Sequence, residues 1–546
     1  MSSNSMDLIR PTLDGAGIVA LEIQEREFPG EHWVIITVDP KSVALGQSLA
    51  GELEKRLLRG DESSITVLFR GAIHDSTDAE DSQSGGKLAD PAVDRLIQLL
   101  EARSRTSDAV PSLKYMEDPR ASLPAIGSSR HHLIYGRRGV GKTALLLEVK
   151  RQAEEAGHVV VWLNSHTIRR LNADEAFSVV VESILEAVVI RAGSSESSAI
   201  SVLDQLRQTI SESTDSGATA VSKIPEMNRT LRRVLRTDLL RLFVFLDDFY
   251  LLDSTVQPYL LDHVASVLRD CDAWMKIASI ERLTRPFEVS TKVGIESPHD
   301  ALIVDLDVTL ENPSTAQNFL ESVLESYLST AGIKSARKIA KIQALGRLVL
   351  ASGGVPRDYL NLFSASILAA RDRSSQAAEI GKEDVAVAAG RYSRSKKRDL
   401  EQDVMEESSA IIISALEDVK SQAKDSGTTY FKVDIAQKTH PGYEILADLV
   451  DLRFAHLVQS SISDQHRAGV KYEAYVLALS EYTEVRLHRG LDILDIENGQ
   501  WLWQKTGKAG TSTKLTATNF RDKLRLAPLL DLDRLAKFAN TVEESP

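Results

Sequence analysis

The chain has 546 residues, and its charged side chains give it a formal net charge of -13 at pH 7. This length exceeds what one hydrophobic core organises, so we expect roughly three or four domains. An acidic surface excludes a protein that coats nucleic acid over its whole length, although it allows one local basic face. The single cysteine, Cys271, excludes an intramolecular disulfide framework and a zinc site built on several cysteines.

The N-terminal residues lack the apolar core of a secretory signal peptide. No uninterrupted apolar run reaches the roughly 18 residues that a membrane span needs. The segment Ala176–Val189 comes closest, but Glu182 and Glu186 interrupt it. The sequence therefore predicts a cytoplasmic protein without membrane partners.

A small α/β module is predicted at residues 1–75, where strand and helix patterns alternate. The predicted strands are Gly17–Ile23, Trp33–Val38 and Ile65–Phe69, and helical spacing runs over Val43–Leu58. No residue pattern in this module indicates chemistry. Residues 76–114 are predicted to be a linker that contains one helix, Pro91–Arg103.

Apolar strands and amphipathic helices alternate over residues 115–310, which predicts an α/β core with a parallel sheet. The predicted strands are His132–Tyr135, Val159–Leu163, Leu242–Leu246, Met275–Ile280 and Ala301–Leu306. The Ser/Thr-rich stretch Gly193–Lys223 interrupts the alternation, and we expect an insertion or a mobile excursion there.

Three further segments follow the core. Residues 311–391 are predicted to be a helical lid, and residues 392–400 a charged hinge. Residues 401–546 combine helices with a predicted strand pair, His456–Ile462 and Tyr472–Leu479, which is typical of a winged-helix-like α+β domain. This last domain has 17 Lys and Arg against 23 Asp and Glu, which favours protein contact or autoinhibition over the reading of DNA bases.

A complete phosphate-loop motif, G-x-x-x-x-G-K-S/T, follows the first core strand and opens a helix, which is the context this motif requires. The residues predicted to bind nucleotide are Gly136, Arg137, Arg138, Gly139, Val140, Gly141, Lys142 and Thr143. The glycines let the backbone curl so that N–H groups point at phosphates, and the helix N-terminus adds partial positive charge. Lys142 is expected to reach the β- and γ-phosphates, and the Thr143 hydroxyl to bind Mg²⁺.

The acidic partner of this loop is predicted at the end of the apolar strand Leu242–Leu246. Ligands bind at the carboxyl ends of parallel strands. Asp247 is therefore the predicted Mg²⁺ partner, and Asp248 lies where a general base would orient the attacking water. The alternative for Asp248 is that it caps the following helix.

Together these residues resemble an AAA+ P-loop ATPase, closest to the origin-recognition and signal-transducing (STAND-like) branches. The resemblance covers roughly residues 115–390 and rests on the two motifs above, on the strand Met275–Ile280, and on Gly353-Gly354-Val355-Pro356-Arg357. It implies that Ser279 is a sensor 1 residue and that Arg357 is a sensor 2 residue reaching the γ-phosphate. It also implies ATP and Mg²⁺ as cofactors, a homo-oligomer, and a protein of bacterial origin.

Two consequences of the resemblance concern catalysis. The family position of an arginine finger, which would act across a subunit interface, falls near Arg282 and Arg285. The alternative is that both are ordinary surface arginines. The acidic pair also departs from the usual Asp-Glu of AAA+ proteins, because Asp248 is one methylene shorter, and this puts fast hydrolysis in doubt.

Two basic runs raise the question of a nucleic-acid partner. Arg229, Arg232, Arg233 and Arg236 lie on one face of a helix, and a second run spans residues 394–398. Either run could follow a phosphate backbone or an acidic partner, or could be a solvated face.

Two functions remain open from the sequence. The first is an oligomeric AAA+ ATPase that couples ATP turnover to remodelling or loading a macromolecule, in replication, mobile-element or antiphage-defence settings. The second is a slow STAND-like switch whose nucleotide state controls docking to a protein partner. Asp248 and the acidic C-terminal domain favour the switch, whereas Arg357 and the pair Arg282/Arg285 favour the cooperative ATPase.

Overall fold

A computed structural model describes residues 9–13, 18–28, 31–38, 42–57, 64–71, 87–105, 115–192, 198–403, 406–483, 491–505 and 512–539. The chain divides into two compact units, Met1–Ser84 with Ala109–Pro111, and Gly85–Asp108 with Ser112–Pro546. Within the described ranges, every helix is too short or too polar to cross a lipid bilayer.

The first unit contains a three-stranded sheet and one long helix. Its elements are β1 (Ala20–Phe28), β2 (Glu31–Val38), α1 (Val43–Leu57) and β3 (Ser64–Gly71). Strand β2 is central, antiparallel to β1 and parallel to β3. Ile36, Leu53 and Phe69 lie in its core, so apolar side chains from helix and sheet bury one another. This is the small α/β fold that the sequence predicts.

A five-stranded parallel sheet forms the centre of the second unit. Its strands are β4 (His131–Tyr135), β5 (Val159–Asn164), β6 (Leu242–Asp247), β7 (Ala273–Ser279) and β10 (Ala301–Asp305), with a short hairpin, β8 (Phe287–Glu288) and β9 (Val293–Gly294), before the last. The strand order is β10-β4-β7-β6-β5. Every residue of β6 is buried, as expected for a strand covered on both faces. The predicted core sheet is therefore confirmed.

Helices cover this sheet on both faces. They are α3 (Ser122–Ile126), α4 (Lys142–Glu155), α5 (Ala173–Ala192), α6 (Ser198–Ser211), α7 (Ser216–Ser222), α8 (Ile224–Thr237) and α9 (Gln257–Leu268). The helix before them, α2 (Pro91–Arg105), packs with the helices that follow the sheet. Of the two alternatives predicted for Gly193–Lys223, the mobile excursion is wrong for the described part, residues 198–223, because helices α6 and α7 pack against the core there. The insertion stays a prediction. Buried Leu203, Leu206 and Ile210 supply an apolar stripe that the surrounding Ser and Thr residues obscured. Residues 193–197 lie outside the described residues.

Four long helices follow the sheet. They are α10 (Pro313–Ala331), α11 (Ile342–Ser352), α12 (Pro356–Arg373) and α13 (Lys382–Asp403). Their apolar side chains share one core with α2. The charged hinge predicted at 392–400 is not a break in the chain, because α13 runs through it. The helix continues because Ser393 and Lys397 bind the buried carboxylate of Glu481.

The C-terminal module has two small antiparallel sheets. Its elements are α14 (Glu406–Ser426), β11 (Tyr430–Asp434), α15 (Pro441–Asp451), β12 (Ala455–Ser463), β13 (Lys471–Leu477), α16 (Ser480–Thr483), β14 (Asp492–Glu497), β15 (Gln500–Lys505), β16 (Ser512–Lys514), α17 (Ala517–Arg525) and α18 (Leu532–Ala539). The first sheet has the order β11-β13-β12 and the second β14-β15-β16. The hairpin β12–β13 is the predicted strand pair, and the α+β class predicted for this region is confirmed.

Candidate functional site

The phosphate loop connects the end of β4 to the start of α4 at one edge of the parallel sheet. Gly139 and Gly141 have φ angles of 87° and 108°, which residues with a Cβ rarely adopt. A Cβ on Gly139 would also lie 2.8 Å from the Cβ of Arg357. The loop can therefore curl around its centre, and the lid helix can approach it, only because these positions are glycines.

Lys142 is held inside the loop. Its Nζ donates hydrogen bonds to the carbonyl oxygens of Gly136 at 2.6 Å and of Arg137 at 3.2 Å, and the residue is 6% exposed. Burial lowers the pKa of Lys142, while the nearby carboxylates of Asp248, Asp307 and Asp247 act in the opposite direction. Lys142 is therefore a buried cation inside the loop, and the negative charges of nearby aspartates partly offset the effect of burial on its pKa.

Thr143 and Asp247 meet across the sheet edge. The Thr143 hydroxyl donates to Asp247 Oδ2 at 2.8 Å, and the Asp248 backbone N–H donates to Asp247 Oδ1 at 3.0 Å. Asp247 is fully buried. One hydroxyl and one carboxylate are oxygen donors of the kind that Mg²⁺ prefers when waters and phosphates complete its octahedron. The donor set therefore fits the predicted metal.

Asp248 directly follows the buried strand in a left-handed conformation, with φ of 52°. It occupies the N-cap position of the turn Phe249–Leu251, but its side chain makes no capping hydrogen bond there. After burial, which lowers the pKa of Lys142, the negative charge of Asp248 is the strongest influence on that pKa and raises it.

The lid helix α12 begins directly over the phosphate loop. The Arg357 backbone N–H donates to the Gly139 carbonyl at 3.3 Å. The Arg357 side chain is exposed, and its positive charge is one of the influences that lower the pKa of Lys142. Gly354 makes this approach possible, since a Cβ there would lie 2.2 Å from the Val308 carbonyl oxygen.

The sequence comparisons agree with this geometry. Residues 122–269 match the family described as AAA ATPase domain. The chain contains an AAA ATPase domain. No curated protein matches the sequence significantly.

Solved structures of low sequence identity resemble the chain. ORC1 of Aeropyrum pernix in complex with DNA is 14% identical, with 72% of this chain and 97% of that chain covered and a TM-score of 0.36. CDC6P from Pyrobaculum aerophilum is 15% identical, with 76% of this chain and 96% of that chain covered and a TM-score of 0.32. Domain III of the replication initiation protein DnaA from Thermotoga maritima is 14% identical, with 49% and 87% covered and a TM-score of 0.27.

The predicted sensor 1 residue of the AAA ATPase domain lies between the two motifs. Strand β7 runs between β4 and β6, and Ser279 at its end is fully buried. Its hydroxyl is hydrogen-bonded to that of Thr284. Ser279 therefore lies at the same sheet edge as the phosphate loop, but its hydroxyl is bound to Thr284 in the loop that follows β7.

The two candidate arginine fingers both have partners within the chain. Arg282 binds two carboxylates of α15, with Nη2 2.6 Å from Asp448 Oδ1 and 2.8 Å from Asp451 Oδ2. Arg285 pairs with Glu288 at 2.8 Å, and its side chain is 55% exposed. Neither is drawn into the phosphate loop of its own AAA ATPase domain.

Sequence reasoning missed the acid that braces the loop. Asp307, just beyond β10, accepts hydrogen bonds from the Arg137 backbone N–H at 2.9 Å and from Arg137 Nε at 3.2 Å. Arg137 Nη2 also donates to the Gly353 carbonyl at 3.1 Å. Arg137 therefore ties the loop to the sheet and the lid, and its backbone N–H and carbonyl are bound to Asp307 and Lys142. No local motif marks Asp307, which is 170 residues away in the chain.

An apolar pocket opens beside the loop and was also missed. It is lined by residues from five segments of the chain, among them Tyr115, Val140, Leu145, Phe319 and Tyr327. A slot of this composition suits a flat, largely apolar ring such as a nucleotide base. Its residues are too scattered along the chain for a sequence pattern to group them.

The two basic runs have different environments. In the second run, Lys396 lies 3.5 Å from Asp358 and Lys397 lies 2.8 Å from Glu481, and both acids are buried. These lysines therefore cannot follow a nucleic acid in this arrangement. On α8, Arg232 bonds to Asn228 and to Asp270, whereas Arg229, Arg233 and Arg236 are exposed.

Proposed function

We propose that the chain binds and hydrolyses Mg-ATP at the phosphate loop and uses the cycle to assemble or remodel a macromolecular partner. The observation that carries this proposal is the 2.8 Å hydrogen bond between Thr143 and Asp247, beside buried Lys142. It joins the two halves of a phosphate and metal site that lie 104 residues apart in sequence.

Each residue has a defined part in the proposed reaction. Bound Mg²⁺ would neutralise charge on the phosphate oxygens. Thr143 and Asp247 hold the metal, while Lys142 binds the β- and γ-phosphates. Asp248 orients the attacking water and accepts its proton. Arg357 contacts the γ-phosphate, so that the lid distinguishes ATP from ADP.

The partner is proposed to be a protein, contacted by a cytoplasmic homo-oligomer of this chain. DNA is the less favoured partner because α15, the helix before the hairpin β12–β13, carries an acidic face. Asp448 and Asp451 on that face are already bound to Arg282.

A specific observation also favours the slow switch as a second function. Arg282 cannot act across a subunit interface while two carboxylates of its own chain hold it at 2.6 and 2.8 Å. Release of the C-terminal module would free it. The chain could then alternate between a closed state with slow turnover and an open state that binds a partner.

Turnover measured against protein concentration separates the two functions, with and without duplex DNA. A cooperative ATPase shows a rate per chain that rises steeply with concentration, whereas a switch shows near-zero turnover with tightly retained ATP. The variant Asp448→Asn/Asp451→Asn frees Arg282 and is expected to steepen the concentration dependence. If the wild type showed neither turnover nor retained nucleotide, both proposed functions would be contradicted.

Asp248→Glu is expected to raise turnover, because the longer carboxylate restores the Asp-Glu pair implied by the resemblance to AAA+ proteins. Asp248→Ala is expected to lower the rate about 10²-fold, the usual cost of losing a general base. Single-turnover phosphate release measures both. Wild-type rates in both variants would remove Asp248 from the mechanism.

Arg357→Ala is expected to weaken ATP binding about tenfold and to leave ADP affinity nearly unchanged, since a hydrogen bond to a charged group contributes about 1.5–3 kcal/mol. Calorimetric titration with each nucleotide measures this, and Arg371→Ala, on the same helix but far along it, is the control. A parallel loss of ADP affinity would show that Arg357 supports the loop and does not sense the γ-phosphate.

A further inference from the structure

Arg453 lies two residues after the end of helix α15, in a backbone conformation that is usually adopted by glycine. Its φ is 63°, its N–H donates to the Val450 carbonyl at 2.9 Å, and the next N–H, of Phe454, donates to the Leu449 carbonyl at 2.8 Å. These two bonds form the common helix ending in which the left-handed residue is usually Gly. A residue with a Cβ is strained there, so the backbone of Arg453 has a conformation that its own side chain disfavours.

The side chain bridges the phosphate loop and the lid. Arg453 Nη1 lies 3.3 Å from the Arg138 carbonyl oxygen and 2.8 Å from Asp358 Oδ1, and the side chain is 16% exposed. Arg138 belongs to the phosphate loop. Asp358 lies in the first turn of α12, directly after Arg357. One guanidinium of the C-terminal module therefore contacts both elements that approach the predicted phosphates.

Both partners of Arg453 are themselves fixed. Asp358 is 1% exposed and also accepts a hydrogen bond from the Tyr392 hydroxyl at 3.0 Å. A buried carboxylate needs such partners, so Arg453 is part of what keeps Asp358 in place. The Arg138 guanidinium lies over the ring of Tyr250, 5.2 Å from the ring centroid. Tyr250 is two residues after Asp248 in the chain. A shift of Arg138 would therefore also displace Tyr250, close in the chain to Asp247 and Asp248.

We propose that Arg453 is a positioning residue of the nucleotide site, through which the C-terminal module holds the phosphate loop and the start of the lid helix in register. This inference rests on the function proposed above. Arg453 acts on the contact between Gly139 and Arg357, where the γ-phosphate is expected. Its loss should therefore affect turnover of ATP more than the affinity for ADP.

The test compares Arg453→Ala, Arg453→Lys and a control, Arg467→Ala, which removes an exposed arginine from the same module. For each full-length variant, kcat, KM, ADP affinity and Tm are measured. We expect Arg453→Ala to lower kcat about tenfold, since misplaced reacting groups cost up to roughly 10²-fold. ADP affinity should stay close to wild type, whereas Tm should fall, because buried Asp358 loses an ion-pair partner. Lysine, which can reach the same oxygens, should restore most of kcat, and the control should match wild type.

Two outcomes would overturn the proposal. If kcat of Arg453→Ala equals that of the wild type, Arg453 positions nothing. If kcat, ADP affinity and Tm fall together and lysine restores none of them, the residue supports the fold only. Should the wild type be no more active than Lys142→Ala, the proposed function fails first and the positioning role fails with it.

Discussion

Lys142→Ala is expected to lower the rate of phosphate release from Mg-ATP by at least roughly 10²-fold, the usual cost of removing one preorganised donor from a transition state. Lys142 is the buried cation of the phosphate loop, with its Nζ 2.6 Å from the Gly136 carbonyl oxygen. The two arginines of the loop do not replace it, because Arg137 is bound to Asp307 and Arg138 lies over Tyr250. Phosphate release under saturating Mg-ATP measures the loss.

The matched control for this variant is Lys150→Ala. Lys150 lies on the same helix, where it pairs with Glu154 at 2.6 Å on the surface. Surface pairs of this kind contribute little to stability, so the control should keep the wild-type rate and Tm. An unchanged rate in Lys142→Ala, with the wild type active, would place the phosphate site elsewhere in the chain.

Asp247→Asn should abolish the dependence of turnover on Mg²⁺ and lower kcat by a comparable factor, roughly 10²-fold or more. Asparagine keeps an oxygen that can accept the hydrogen bond from Thr143, so the site should keep its shape. It removes the negative charge that favours a divalent cation. ATP binding in EDTA should stay within about threefold of wild type, since the loop's backbone donors remain.

Turnover measured at increasing Mg²⁺ concentration, and titration of the protein with ATP in EDTA, measure these effects. Asp253→Asn is the control, because Asp253 follows the same strand but hydrogen-bonds only locally, to Thr255. If Asp247→Asn turned over Mg-ATP at the wild-type rate, another residue would hold the metal.

The sequence predicts those parts of the site that depend on neighbouring residues. Gly139, Gly141 and Lys142 act through local backbone geometry, so their spacing is sufficient to identify the loop. Asp247 could be predicted as the metal ligand because a fully apolar strand should end at the ligand edge of a parallel sheet. The same argument predicted the five core strands within a few residues.

Other features depend on partners far away in the chain, and the sequence did not predict them. The charged segment 392–400 resembles a hinge until Glu481 and Asp358 are placed beside Lys397 and Lys396. Arg282 was considered as a finger for a neighbouring subunit, but its partners belong to α15 of the same chain. Arg453 lies in no motif, and its importance follows only from its contacts with Arg138 and Asp358.

The most direct test of the central claim is a calorimetric titration of the wild-type protein with ATP in the presence of Mg²⁺, alongside Lys142→Ala. The account predicts saturable binding of one ATP per chain, weaker when EDTA removes the metal, and greatly weakened by Lys142→Ala. Absence of binding to the wild type, or equal binding by Lys142→Ala, would contradict the assignment of Gly136 to Thr143 and Asp247 as a Mg-ATP site.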